Sequence, residues 1–97
     1  MDYILDQVVK LGDVRAKKMF GEYALYYDNK VVAFICDDQF FLKPTTAGQK
    51  VIGVPIEAPP YSGAKMYYLI TDDLLEDREW LCHLIRESAT EIPYPKL

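Results

Sequence analysis

Across residues 14–43 the apolar positions fall into three short runs, 23–27, 31–36 and 39–43, separated by the polar pairs Asp28-Asn29 and Asp37-Asp38. The runs are β-branched and aromatic and have the length of ordinary strands. Asn and Asp tolerate the positive φ that tight primed turns demand, so each pair is predicted to close a hairpin. The stretch therefore predicts a three-stranded antiparallel meander.

Two-residue turns set a definite register. With Asp28-Asn29 as the first loop, Tyr27 faces Lys30, Leu25 faces Val32 and Tyr23 faces Phe34. With Asp37-Asp38 as the second, Cys36 faces Gln39, Phe34 faces Phe41 and Val32 faces Lys43. Side chains alternate along a strand. One face is thus expected to carry Tyr23, Leu25, Tyr27, Val32, Phe34, Cys36, Gln39, Phe41 and Lys43. The other carries Glu22, Ala24, Tyr26, Val31, Ala33, Ile35, Phe40 and Leu42. The small pair Ala24 and Ala33 suits the second face to close helix packing. The first is the wetter one and sets Tyr23, Phe34 and Phe41 side by side near Lys43. A one-residue slip in either hairpin would exchange the sets.

Upstream, Ile4, Leu5, Val8 and Leu11 recur at helical spacing, with Asp2 as cap and Gly12 as stop. Arg15, Lys17 and Lys18 then lead into Met19-Phe20-Gly21, where Gly21 marks a bulge or bend. Downstream, Pro44 ends the meander and Thr45 or Thr46 can cap a short helix to about residue 52, weakened by Gly48. Prolines 55, 59 and 60 confine any strand over 56–61 to a sheet edge. Ser62-Gly63 is a turn before the strand 65–70, giving a second hairpin with a blunted outer edge. Thr71 or Asp72 opens a helical turn, and Asp77 caps a helix with Trp80, Leu81, Leu84, Ile85 and Ser88 on one face. Pro93 and Pro95 end it, leaving 93–97 as an extended tail. The fold class is α+β: two layers, an antiparallel sheet of about five strands packed with helices, in the order α-β(3)-α-β(2)-α.

The chain has 97 residues, 51% hydrophobic and 27% charged, so 1–97 is expected to be a single domain. Its net charge of −4 opposes non-specific binding to nucleic acid or anionic membranes, which needs a positive field. No apolar run is long enough to cross a membrane, and the N-terminus lacks the features of a signal peptide. A cytoplasmic protein with both cysteines, Cys36 and Cys82, reduced and buried is the expectation.

Candidate chemistry is sparse. Cys82-His83 are helical neighbours pointing about a hundred degrees apart, and His83 is the only histidine, so a metal or catalytic pair is a poor reading of them. Asp37-Asp38 belong to a turn. Glu22, in a strand among apolar residues, is the other group an enzyme could use. No metal and no cofactor are expected. Arg15, Lys17 and Lys18 form the one basic concentration. They could neutralise about three phosphates, which supports weak nucleic-acid or anion binding at most.

Arg15, Met19-Phe20-Gly21, Tyr23, Leu25-Tyr26, Asp28, Ala33, Ile35, Asp37-Asp38 and Leu42-Lys43 form a pattern that resembles the N-terminal domain of the TfoX/Sxy competence-regulator family. Met66 and Tyr68 resemble its later strand, and Leu74-Leu75 with Trp80 its closing helix. Glu22, Asn29 and Phe41 depart from the pattern. The resemblance covers nearly the whole chain and implies a secretion-chaperone-like α+β fold. It also implies a role in bacterial competence, where such proteins act with a cyclic-AMP-receptor-type activator at promoters. Full-length regulators carry a further C-terminal domain, and this chain ends where that would begin. The expected function is thus a non-enzymatic interaction module, a regulator or co-regulator of transcription acting through a protein partner. The candidate binding residues are Arg15, Lys17, Lys18, Phe20, Gly21, Tyr23, Phe34, Phe41 and Lys43. The same aromatic face is the candidate surface for a homodimer.

Overall fold

A computed structural model describes residues 2–19 and 22–94. Helix α1 (Asp2–Val8) tightens into a 3₁₀ turn at Val9–Leu11 and stops at Gly12, whose φ of 84° suits a residue without a Cβ. Four strands follow, β1 (Val14–Met19), β2 (Glu22–Tyr27), β3 (Lys30–Cys36) and β4 (Gln39–Leu42). Next come α2 (Thr46–Ile52), β5 (Ile56–Ala58), β6 (Tyr67–Ile70), α3 (Asp72–Leu75) and α4 (Arg78–Ala89). The strands form one antiparallel six-stranded sheet in the order β1-β2-β3-β4-β6-β5.

The fold is the expected α+β class with one more strand than the sequence predicted. The basic segment 14–19 is itself a strand, at the edge beside β2. Only Val14 and Ala16 show its inward period, and the rest of it is exposed or polar, so hydrophobic alternation barely marks it. At the opposite edge lies β5, three residues long, between prolines. Both edges are blunted, one by charge and one by brevity and proline.

Both turns form as predicted: Asp28, Asn29, Asp37 and Asp38 have φ of 52°, 60°, 52° and 60°. The β3–β4 register is the expected one, with Cys36 opposite Gln39 and Phe34 opposite Phe41. The β2–β3 register is not. It begins as expected at Tyr27↔Lys30, shifts between Leu25 and Tyr26, and then pairs Leu25 with Ala33 and Tyr23 with Ile35. Val32 is the extra residue of this β-bulge. An inserted residue reverses the alternation beyond it. Tyr23 and Leu25 therefore join the helix-facing side, and Ala24 moves to the opposite one. The expected row of Tyr23, Phe34 and Phe41 on one face does not form.

Helices cover a single face. Leu25, Ala33, Ile35, Phe40, Leu42, Tyr68 and Ile70 from the sheet share one core with Leu81, Leu84, Ile85 and Ala89 of α4 and with Ile4 and Val8 of α1. Asp77 caps α4 by accepting from the Trp80 amide at 3.1 Å. Buried Gln7 ties α1 to the C-terminal helices: its Nε2 donates to the Leu75 carbonyl at 2.7 Å, and its Oε1 accepts from Arg78 Nε at 2.8 Å.

Thr45 caps α2 by accepting from the Gly48 amide at 2.9 Å, and the Glu91 carboxylate receives the Thr46 and Ala47 amides. Gly48, an apparent weakness in sequence, permits close packing. A Cβ there would lie 2.7 Å from Ser88 Oγ and 2.9 Å from Thr45 Oγ1. The described end of the chain, Ile92 to Tyr94, folds back on the first turn. Lys30 Nζ donates to the Ala89 carbonyl at 2.9 Å and sits 4.4 Å from the Tyr94 ring centre, while the Tyr94 hydroxyl donates to Asp28 at 2.5 Å. Residues 95–97 of the expected tail lie outside the description.

Candidate binding face

Among the described residues no helix covers the other face of the sheet. Strand alternation and the observed registers place Arg15, Lys17 and Met19 of β1 on it, with Glu22, Ala24 and Tyr26 of β2. Phe34 and Cys36 of β3, Phe41 of β4, and Tyr67 and Leu69 of β6 continue it. Residues 59–64 fold across part of this face, so that Pro60 and Tyr61 stand against Phe34 and Tyr67. The Phe34 and Tyr67 rings are tilted at 58° with centroids 5.6 Å apart, a favourable edge-and-face contact.

The structure sorts the sequence-predicted site residues into different places. Arg15 lies on the outer face with its guanidinium 4.2 Å from the centre of the Tyr26 ring, a cation–π contact that partly occupies it. Lys17 is exposed on the same face, opposite Ala24, whereas Lys18 stands opposite Tyr23 and points to the helix side. The basic cluster is thus divided between two faces. Tyr23 packs against the helix-side core. Phe41 is on the outer face but only 3% exposed, so it supports that face from within. Phe34 is half-buried and accessible. Lys43 lies at the far end, lining a cleft with Tyr26, Lys30, Val31 and Tyr94. Phe20 and Gly21 lie outside the described residues.

A half-open cavity of about 430 Å³ opens between β1–β2 and the crossing loop, walled by Met19, Glu22, Tyr23, Ala24, Phe34 and Tyr61. Apart from Glu22 and the Tyr61 hydroxyl, the side chains that reach the cavity from the outer face are apolar. Cys36 lies beside Glu22. Burial, reinforced by the neighbouring carboxylate, pushes its thiol up to about 12, so at neutral pH it is a protonated thiol rather than a nucleophile. Burial also raises the Tyr67 hydroxyl, with Tyr61 and Cys36 contributing. Sequence reading missed Tyr61 and Tyr67 as members of this face. The Tyr67-Tyr68 pair held a signal, since one of two adjacent strand residues must point away from the helices. Nothing in the sequence around Tyr61 says where its loop folds.

Residues 6–92 match the TfoX N-terminal domain family. The chain belongs to that family. A relative of Spirochaeta aurantia, named "uncharacterized 12.7 kDa protein in trpE 5′ region", is 44% identical over 94 residues, covering 97% of this chain and 81% of the relative. Within this TfoX N-terminal domain the groups an enzyme could use are dispersed. Glu22 lies on the outer face, while His83 is exposed on α4 in the helix layer across the sheet. Cys36 and Cys82 are both free and buried, and Cys82 donates to the Gln7 carbonyl at 3.7 Å. Among the described residues no His, Cys, Asp and Glu side chains group to hold a metal ion, and no helix is long and apolar enough to cross a membrane.

Proposed function

We propose that this TfoX N-terminal domain is a non-enzymatic interaction module, a regulator or co-regulator of transcription that acts through a protein partner. The outer face of its sheet would make the contact. The observation that carries this reading is the asymmetry of the sheet. One face is sealed by helices, while the other presents Met19, Phe34, Tyr61 and Tyr67 to solvent beside Arg15 and Lys17. Accessible aromatic and methionine side chains with an arginine nearby are the composition of interface centres. Direct, tight DNA binding fits less well, because the basic residues are few and divided between faces.

The test is affinity capture from the native cells with the wild-type chain and with Phe34→Ser, both shown to be folded by thermal melting. Phe34→Ser is expected to lose the captured partner while still melting cooperatively. Undiminished capture by the folded variant would refute an outer-face contact.

A further inference from the structure

We infer that the cavity between β1–β2 and the crossing loop is a receptor for an alkylammonium group, supplied by a lysine side chain of the partner. This rests on the interaction-module reading and names the anchor it would use. The cavity, about 430 Å³, lies in the size range of ligand sites, about 300–1,000 Å³. Its wall combines one carboxylate, Glu22, with the Phe34 and Tyr61 rings and the Met19 thioether.

An aromatic wall with a single acid selects for a cation carried on an apolar stem. The ring faces and the carboxylate both attract positive charge, and the methylenes bury against the apolar remainder. Glu22 is half-buried, and the lower local dielectric there strengthens a carboxylate's attraction to a cation. Among the described residues Glu22 forms no ion pair; the ion pair there is Arg78–Asp6, at 2.7 Å. Lys17 lies on the same face two residues from Met19, yet forms no ion pair with Glu22. Arg15 is engaged over Tyr26. The neighbouring Cys36 is a neutral thiol and offers no counter-ion.

The experiment titrates the ¹⁵N-labelled chain at pH 7 with two probes and their neutral counterparts, following amide shifts. The probes are phenethylammonium against 2-phenylethanol, and acetyl-Ala-Ala-Lys-Ala-Ala-amide against the same peptide with norleucine for lysine. Both cationic probes are expected to give saturable shifts at residues 22, 24, 34 and 61. Each should bind about tenfold more tightly than its neutral counterpart, the usual worth of a charge-assisted contact. Glu22→Gln should erase that preference and leave the fold intact. Tyr61→Ala, on an exposed loop, should weaken both probes.

Equal binding of charged and neutral probes, or an unchanged preference in Glu22→Gln, would overturn the site. Binding of phenethylammonium without the lysine peptide would overturn the partner as source. The two readings separate cleanly. If Phe34→Ser loses partner capture and Glu22→Gln does not, the receptor site fails alone. If the probes bind through Glu22 while Phe34→Ser still captures, the outer-face contact fails and the partner as source of the lysine with it, and the cavity stands only as an alkylammonium site.

Discussion

Phe40 and Phe41 are neighbours in one strand, and their side chains leave it in opposite directions. Phe40, 1% exposed, enters the core that the sheet shares with α1 and α4. Phe41, 3% exposed, is almost as well buried on the outer face, where no helix covers it. There it stands between Phe34 and Leu69 on the adjacent strands, and the loop that carries Pro60 and Tyr61 lies against Phe34 and Tyr67 on the same face. One face is thus buried by elements that cannot leave without unfolding the chain. The other is buried by neighbours and a loop that closes over only part of it. Hydrophobicity alone does not separate a core from a binding surface; what covers it does.

The largest effect should follow Phe40→Ala. Removing a fully enclosed ring from the helix side is expected to cost about 3–5 kcal/mol, measured by denaturant unfolding, with Phe41→Ala at about the lower end of that range. A much milder Phe41→Ala would mean that the outer face is barely a core. Gly48→Ala tests how tightly the helix layer is built. The added methyl meets Ser88 Oγ and Thr45 Oγ1, so a loss of about 1–3 kcal/mol is expected despite the better helix propensity of alanine. A stabilised variant would show that α2 and α4 can part at little cost.

Phe34→Ala should lose less than Phe40→Ala, about 2 kcal/mol for a half-buried ring together with its contact with Tyr67, and this is the clearest contrast with Phe40. Cys36 gives a pH signature on the outer face. Its thiol is raised from an ordinary 9.0 to about 12, so the fold favours the neutral form. That contribution to stability is complete below about pH 9 and fades as pH rises toward 12. Chemical denaturation across this window should show the decline. Cys36→Ala should lessen it without removing it, because Cys82 and Tyr67 are also pushed up by burial.

Much of the fold was legible because it depends on local chemistry. Asp28-Asn29 and Asp37-Asp38 marked both turns, Gly12 the end of the first helix, Thr45 and Asp77 the caps of two others. The edge position of 56–58 followed from its prolines. The helix-facing set Ala33, Ile35, Phe40 and Leu42 followed from alternation and a two-residue loop. The candidate site was legible only in part. Alternation placed Phe34 on the right face but not Tyr23. Arg15 belonged only to a basic cluster with no face assigned, and Tyr61 and Tyr67 were absent from the site.

The physical reason is the range over which each feature is decided. Turn residues, caps and alternation act through φ, hydrogen bonds and side-chain direction within a few positions, so the sequence by itself determined them. The bulge at Val32 has no such local marker. Val32 is wholly buried in the helix-side core, a position that an unbroken register did not assign to it. Only the assembled sheet and helices decide that burying Val32, Leu25 and Ala33 together outweighs one lost ladder position. The loop over Phe34 is decided the same way. Its composition says that it bends, while where it lands, and hence the cavity beside Glu22, depends on the surface that the rest of the chain has already built.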